Sequence, residues 1–186
     1  MKIYLESHGC QANLDDGRII KGLLLKENYE FTDDLDNSDL VIINTCVVKN
    51  ATASNIIHKI RDSYNKDKRI IIAGCMSEAE TEKCKKLFPN ASLISPQHVS
   101  DIIEATKKTL NNEIVYFTGK RNESKIGLPK FIDSDVCTIQ IASGCTNFCN
   151  FCESKLAKGS VKSQPEDKVI EEIRYYKNNG IRTFYL

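Results

Sequence analysis

The sequence predicts an α/β protein: a doubly wound parallel sheet followed by the start of a second β-α-β unit. Continuous apolar runs of strand length at residues 40–45 and 69–73 suit strands buried on both faces. Segments whose apolar residues return at helical spacing lie between such runs. The connections are short, and repeated β-α units so joined form a parallel sheet.

Residues 2–6 read as the first strand. A helix over about 13–26 presents Ile20, Leu23 and Leu24 on one face. Residues 29–31 make a short edge strand, and 40–45 a buried one. Asn50 can cap the next helix, whose Ile56, Ile57, Ile60 and Tyr64 form a buried stripe. Residues 69–73 are another buried strand. A short helix covers 78–87 and Pro89 stops it, 92–95 is a strand, and Val99, Ile102, Ile103 and Leu110 mark a last helix. Residues 114–117 can add one more strand. Residues 1–117 thus form one flavodoxin-like domain, with the common strand order 2-1-3-4-5 expected.

Residues 118–130 carry Gly119, Gly127, Pro129 and the basic Lys120, Arg121, Lys125 and Lys130, with little apolar content. They read as an interdomain linker with solvated charges, RNA binding being the other reading. Residues 131–186 give a strand (136–141), a cysteine loop, a helix (about 165–179, Pro165 in its first turn and Gly180 after its end) and a second strand (181–186). A parallel pair needs cover on both faces, which some fifty residues do not supply. The chain is therefore expected to be the amino-terminal part of something longer, a split-gene product or a truncated record.

Net charge is +1 over 186 residues, so no global field announces nucleic acid. No secretory signal opens the chain and no apolar run approaches the length of a bilayer span. A cytosolic, membrane-free protein is expected, in which eight cysteines argue for metal or catalysis rather than disulfides.

Cys145, Cys149 and Cys152 are spaced Cys-x3-Cys-x2-Cys, with Phe151 just before the last. A cubane iron–sulfur cluster wants four thiolates; three from one loop leave an iron open to another ligand. The competing reading is zinc, but zinc favours paired ligands closing a set of four, and no fourth Cys or His follows nearby.

Cys10, Cys46 and Cys75 are scattered in sequence, but each follows the carboxyl end of a predicted strand. In the expected order those strands are neighbours, so their ends span about 10 Å and the thiols could converge. Glycines before Cys10 and Cys75 would let the backbone approach closely. The plainer reading is three small buried residues. Cys84, in a helix, and Cys137, in a strand, lack partners at ligand spacing and read as structural. His8 reads as a polar loop residue; His58 and His98, read on helices, carry no signal.

With both cysteine sets in hand, the chain resembles the methylthiotransferases of the radical S-adenosylmethionine superfamily. The matching stretches are Tyr4-Leu5-Glu6-Ser7-His8-Gly9-Cys10-Gln11-Ala12-Asn13, Val41-Ile42-Ile43-Asn44-Thr45-Cys46, Ala73-Gly74-Cys75 and the loop from Cys145 to Cys152. The resemblance implies two [4Fe-4S] clusters. Cys10, Cys46 and Cys75 would hold the auxiliary one; Cys145, Cys149 and Cys152 would hold the one that cleaves S-adenosylmethionine, with Phe151 against the cofactor's adenine. In such enzymes an electron passed to the sulfonium yields a 5′-deoxyadenosyl radical, which takes hydrogen from an adenine carbon. Sulfur is then inserted and a second S-adenosylmethionine gives the methyl group.

Residues 155–165 look like the archaeal and eukaryotic branch, which acts on threonylcarbamoyl-adenosine beside the tRNA anticodon. Other branches act on isopentenyl-adenosine in tRNA or on a ribosomal protein. Lys158 stands where Arg is usual, keeping the charge without the bidentate fork, and Glu153 where an apolar residue is usual. The resemblance implies tRNA and an electron donor as partners, and residues 131–186 as the start of an incomplete radical-SAM (β/α) barrel that a second chain could complete. The competing class is a non-catalytic iron–sulfur or zinc-binding protein.

Overall fold

The computed structural model describes residues 1–47, 50–147 and 149–186, and the side chains of these except at 50–54. The first unit runs β1 (Lys2–Ser7), α1 (Gln11–Lys26), β2 (Glu30–Phe31), β3 (Leu40–Thr45), α2 (Asn50–Asn65), β4 (Arg69–Gly74), α3 (Cys75–Ala79), α4 (Thr81–Leu87), β5 (Ser92–Ile94), a 3-10 turn at Val99–Asp101, α5 (Ile102–Leu110) and β6 (Tyr116–Phe117). Its six strands are ordered β2-β1-β3-β4-β5-β6, all paired in parallel. This is the expected order with the additional edge strand in place.

Side-chain alternation sorts the sheet's two faces. Val41, Ile43, Ile70 and Ile72 point into one cluster with Ile56, Ile60, Met76 and Phe88. Leu40, Ile42 and Ile71 point into the other with Ile19, Ile20, Leu24 and Ile102. Both faces are covered, so the central strands are apolar over Leu40–Ile43 and Ile70–Ala73. The expected cap at Asn50 falls outside the described side chains.

One helix departs from expectation. The single helix foreseen over 78–87 is two, α3 and α4, broken at Glu80, and the first opens at Cys75 itself. The apolar spacing around the break is continuous enough to hide it.

The second unit contains β7 (Val136–Thr138), β8 (Ala142–Ser143), α6 (Glu153–Lys158), β9 (Lys162–Ser163), α7 (Glu166–Asn178) and β10 (Thr183–Tyr185). β7 and β10 pair in parallel, as a β-α-β unit requires, over a small core of Cys137, Ile139, Tyr176 and Ile181. Helix α6 and the antiparallel β8–β9 pair were not foreseen.

Two of the four basic residues in 118–130 depart from the expectation of solvated charges. Lys125 is 9% exposed and the Lys130 side chain 2%. Lys125 Nζ donates to Asp16 Oδ1 at 2.6 Å. Lys130 Nζ lies 3.1 Å from both Asp15 Oδ2 and Glu172 Oε1 and donates to the Thr138 carbonyl at 2.7 Å. Gln140 Nε2 donates to both aspartates, at 2.9 and 2.8 Å. Among the described residues, three buried carboxylates thus face two ammoniums and one amide. The partners come from α1, the 118–130 segment, α7 and the stretch through β7. Composition suggested water because the two matching aspartates lie more than a hundred residues upstream.

Candidate functional site

The register fixes where the scattered cysteines emerge. Ser7 on β1 pairs with Asn44 on β3, which pairs with Ala73 on β4. Cys10, Cys46 and Cys75 lie two or three residues beyond that level, on three adjacent strand ends. The topological expectation is met. Cys10 is the N-cap of α1, Cys46 follows β3, and Cys75 opens α3 after Gly74.

Two glycines make the approach possible. Gly9 has φ +114°, and a Cβ there would meet Cys46 Cβ at 2.7 Å. Gly74 has φ +87°, and its Cβ would fall 2.5 Å from the Thr45 carbonyl oxygen. Any side chain at either position would suffer both the clash and a left-handed backbone.

Two buried amides tie the strand ends together, and neither carried a role in the sequence reading. Asn13 Nδ2 donates to the Thr45 carbonyl at 3.0 Å and to the His8 carbonyl, while its Oδ1 lies 4.0 Å from Cys75 Sγ. Asn44 Nδ2 donates to the Asn13 carbonyl at 2.6 Å. Asn13 therefore touches the end of β1, the residue before Cys46, and Cys75. The signal in the sequence was a polar residue, Asn44, within an otherwise apolar strand.

Burial pushes the Cys75 thiol up to about 11; the Lys158 ammonium opposes this, and Asp16, Cys46 and Cys10 reinforce it. Cys75 thus lies within electrostatic reach of both other thiols and of a lysine from the second unit. His8 Nε2 sits 3.1 Å from Glu6 Oε1, which also pairs with Lys59. His98 lies just before the 3-10 turn rather than on a helix, bonding Asp101 at 2.8 Å and stacking on Phe117.

The second trio lies on the loop between β8 and α6. Cys145 bridges Ser160, its N–H reaches the Gly159 carbonyl at 3.2 Å, and Lys155 Nζ donates to its carbonyl. The Cys152 N–H donates to the Cys149 carbonyl at 3.1 Å, and Cys152 caps α6. Phe151 is 89% exposed. Helix α6 packs on α3, and its Ala157 is buried in the same cluster as Met76. The helix capped by Cys152 thus rests on the helix that begins at Cys75.

All eight cysteines are free thiols. Cys84 and Cys137 are buried in core clusters. Among the described residues, no three His, Cys, Asp or Glu side chains stand close enough to hold a metal ion. The donor sets fit iron in kind, three thiols at each place with glycine-cleared backbone around the first, but neither trio is drawn to chelating distance.

A family model described as "Uncharacterized protein family UPF0004" matches residues 2–95, just over half of the chain. The chain belongs to this family. Curated relatives bear out the resemblance to the methylthiotransferases. A probable threonylcarbamoyladenosine tRNA methylthiotransferase of Methanothermobacter thermautotrophicus is 30% identical over the whole chain and 44% of the relative. The threonylcarbamoyladenosine tRNA methylthiotransferase of Homo sapiens is 26% identical over the whole chain and 33% of its own length. A tRNA-2-methylthio-N(6)-dimethylallyladenosine synthase of Petrotoga mobilis is 29% identical over 98% of the chain. The chain spans less than half the length of these relatives. In fold, it is similar to a radical S-adenosylmethionine methyltransferase of Kitasatospora setae, with TM-score 0.60, 14% identity, and coverage of 98% of this chain and 46% of that one. Among the described residues, no helix is long and apolar enough to cross a membrane.

Proposed function

We propose that this UPF0004 chain supplies the cysteine-bearing part of a radical S-adenosylmethionine enzyme that methylthiolates N6-threonylcarbamoyladenosine beside the tRNA anticodon. The observation that supports the reading is the packing of α6 on α3: the helix capped by Cys152 rests on the helix that opens at Cys75. A radical source and a sulfur source must act on one substrate, and this contact joins the element that follows one trio to the element that begins at a member of the other. The names of the relatives support the reaction class. Relatives named for the two adenosine substrates differ by one percentage point in identity, so the choice of substrate rests on residues 155–165.

Cys145, Cys149 and Cys152 would hold one [4Fe-4S] cluster and Cys10, Cys46 and Cys75 the other, with Phe151 against the adenine of S-adenosylmethionine. When bound, these groups supply the electron, the radical and the sulfur. The chain's own residues orient and shield. Asn13 and Asn44 fix the strand ends through backbone carbonyls. Gly9 and Gly74 clear the space beside Cys46 and Thr45. Burial keeps Cys75 protonated until a metal displaces the proton.

Residues 1–117 form the auxiliary-cluster domain, 118–130 the joint, and 131–186 the start of the catalytic barrel. A separate electron donor would reduce its cluster.

Anaerobic reconstitution tests the reading. About eight irons per chain are expected, with a spectral change on adding S-adenosylmethionine. Zinc without iron, or a single cluster, would overturn it. Mass spectrometry of tRNA nucleosides after turnover with the completed barrel would identify the modified adenosine.

A further inference from the structure

A cleft of about 470 Å³ opens between the first unit, at Pro96 and Gln97, and the β8–β9 region of the second, with residues 120–125 along one wall. Five cations line it: Lys120, Arg121, Lys125, Lys158 and Lys162. Two are committed elsewhere, Arg121 to Asp101 and Lys125 to Asp16. Lys120, Lys158 and Lys162 have no carboxylate within ion-pair distance among the described residues. The one acid of the lining, Glu123, accepts from the Val99 and Ser100 N–H groups at 2.9 and 2.8 Å and so spends its charge on the turn behind the wall. The rest of the lining is mostly amides and hydroxyls, including Asn122, Ser143 and Ser160.

The cleft adjoins the second thiol trio: of its lining, Ser160 bridges Cys145 and Ser143 lies two residues before it. Lys158 ends α6, the helix that packs on α3. A chain +1 overall thus gathers unpaired positive charge beside Cys145.

We propose that this cleft binds the sugar-phosphate backbone of the substrate RNA, with Lys120, Lys158 and Lys162 neutralising successive phosphates and so bringing a base toward the Cys145 loop. The proposal rests on the RNA reading above and adds where the strand lies. An ammonium is a point charge that suits backbone phosphates without reading sequence.

The test is binding of a fluorescent anticodon stem-loop RNA to the 186-residue chain across a salt series. Each phosphate contact removed from a single strand flattens the log K against log salt slope by roughly 0.7. Lys120→Ala/Lys158→Ala/Lys162→Ala is expected to flatten it by about 2 and weaken binding at least tenfold at low salt. Lys83→Ala/Lys85→Ala/Lys86→Ala, an equal change of charge on α4, should leave slope and affinity unchanged. If the parent binds but both triple variants match it, the cleft assignment is wrong and the RNA reading stands. If α4 matters as much as the cleft, the binding is diffuse and the cleft assignment again fails. If the parent does not bind the stem-loop, the cleft assignment falls, while the RNA reading is decided by nucleoside analysis with the completed barrel.

Discussion

Lys130 Nζ lies 3.1 Å from Asp15 Oδ2, with the two side chains 2% and 0% exposed. Removing one partner of a buried pair strands the other's charge away from water. Lys130→Met is expected to cost about 3–5 kcal/mol in urea unfolding. Adding Asp15→Leu should recover part of that loss, because one of the two stranded acids, Asp15 and Glu172, is then gone. A loss below about 1 kcal/mol in the single variant would mean that the pair is not shielded from water.

The same lysine predicts a pH dependence. Burial pulls Lys130 down, but Asp15 and Glu172 outweigh it and leave its pKa raised above 10.5. Its stabilising contribution is then fully present below pH 10.5 and is lost as the pH climbs through the higher folded value. Denaturation between neutral and strongly alkaline pH should show a decline in the parent that is shallower in Lys130→Met. Parallel curves for the two proteins would contradict the assignment.

Asn13→Ala leaves the His8 and Thr45 carbonyls without their donor. A cost of about 1–3 kcal/mol follows from unsatisfied buried groups. Iron retained after reconstitution of a Cys145→Ala/Cys149→Ala/Cys152→Ala background should fall as well. Asn13→Asp keeps the shape but sets a carboxylate against two carbonyl oxygens, so it should do no better. Iron content and stability equal to the background's would remove Asn13 from any part in placing the strand ends.

Burial separates the thiols by reactivity. Cys75, Cys84 and Cys137 are each pushed up to about 11 by desolvation, so roughly a thousandth of each is thiolate at pH 8. Cys10 and Cys149 are exposed. Timed alkylation of the metal-free chain, read by peptide mass spectrometry, should label Cys10 and Cys149 long before those three. Labelling of Cys75 at the rate of Cys149 would show that the end of β4 opens readily.

Much of the first unit was legible because its signals are local. The run Leu40–Thr45 reads as a strand buried on both faces, and it is one. The emergence of Cys10, Cys46 and Cys75 at three adjacent strand ends followed from strand order, which short β-α connections nearly dictate. What stayed hidden depends on contacts distant in sequence. Lys130 looked like a linker charge because Asp15 is 115 residues away. Asn13 and Asn44 act through backbone carbonyls, which composition does not display. Helix α6 is six residues long, too short for a periodic pattern to announce it.

Helix α1 has Cys10 at its cap and Asp15 and Asp16 on its second turn, about 8 Å along the axis at 1.5 Å per residue. Those aspartates grip Lys125, Lys130 and Gln140. A short stiff rod therefore joins a thiol of one trio to the frame that carries the other. Displacement of the second unit would therefore act on Cys10 along α1, in addition to acting on Cys75 through the α3–α6 contact.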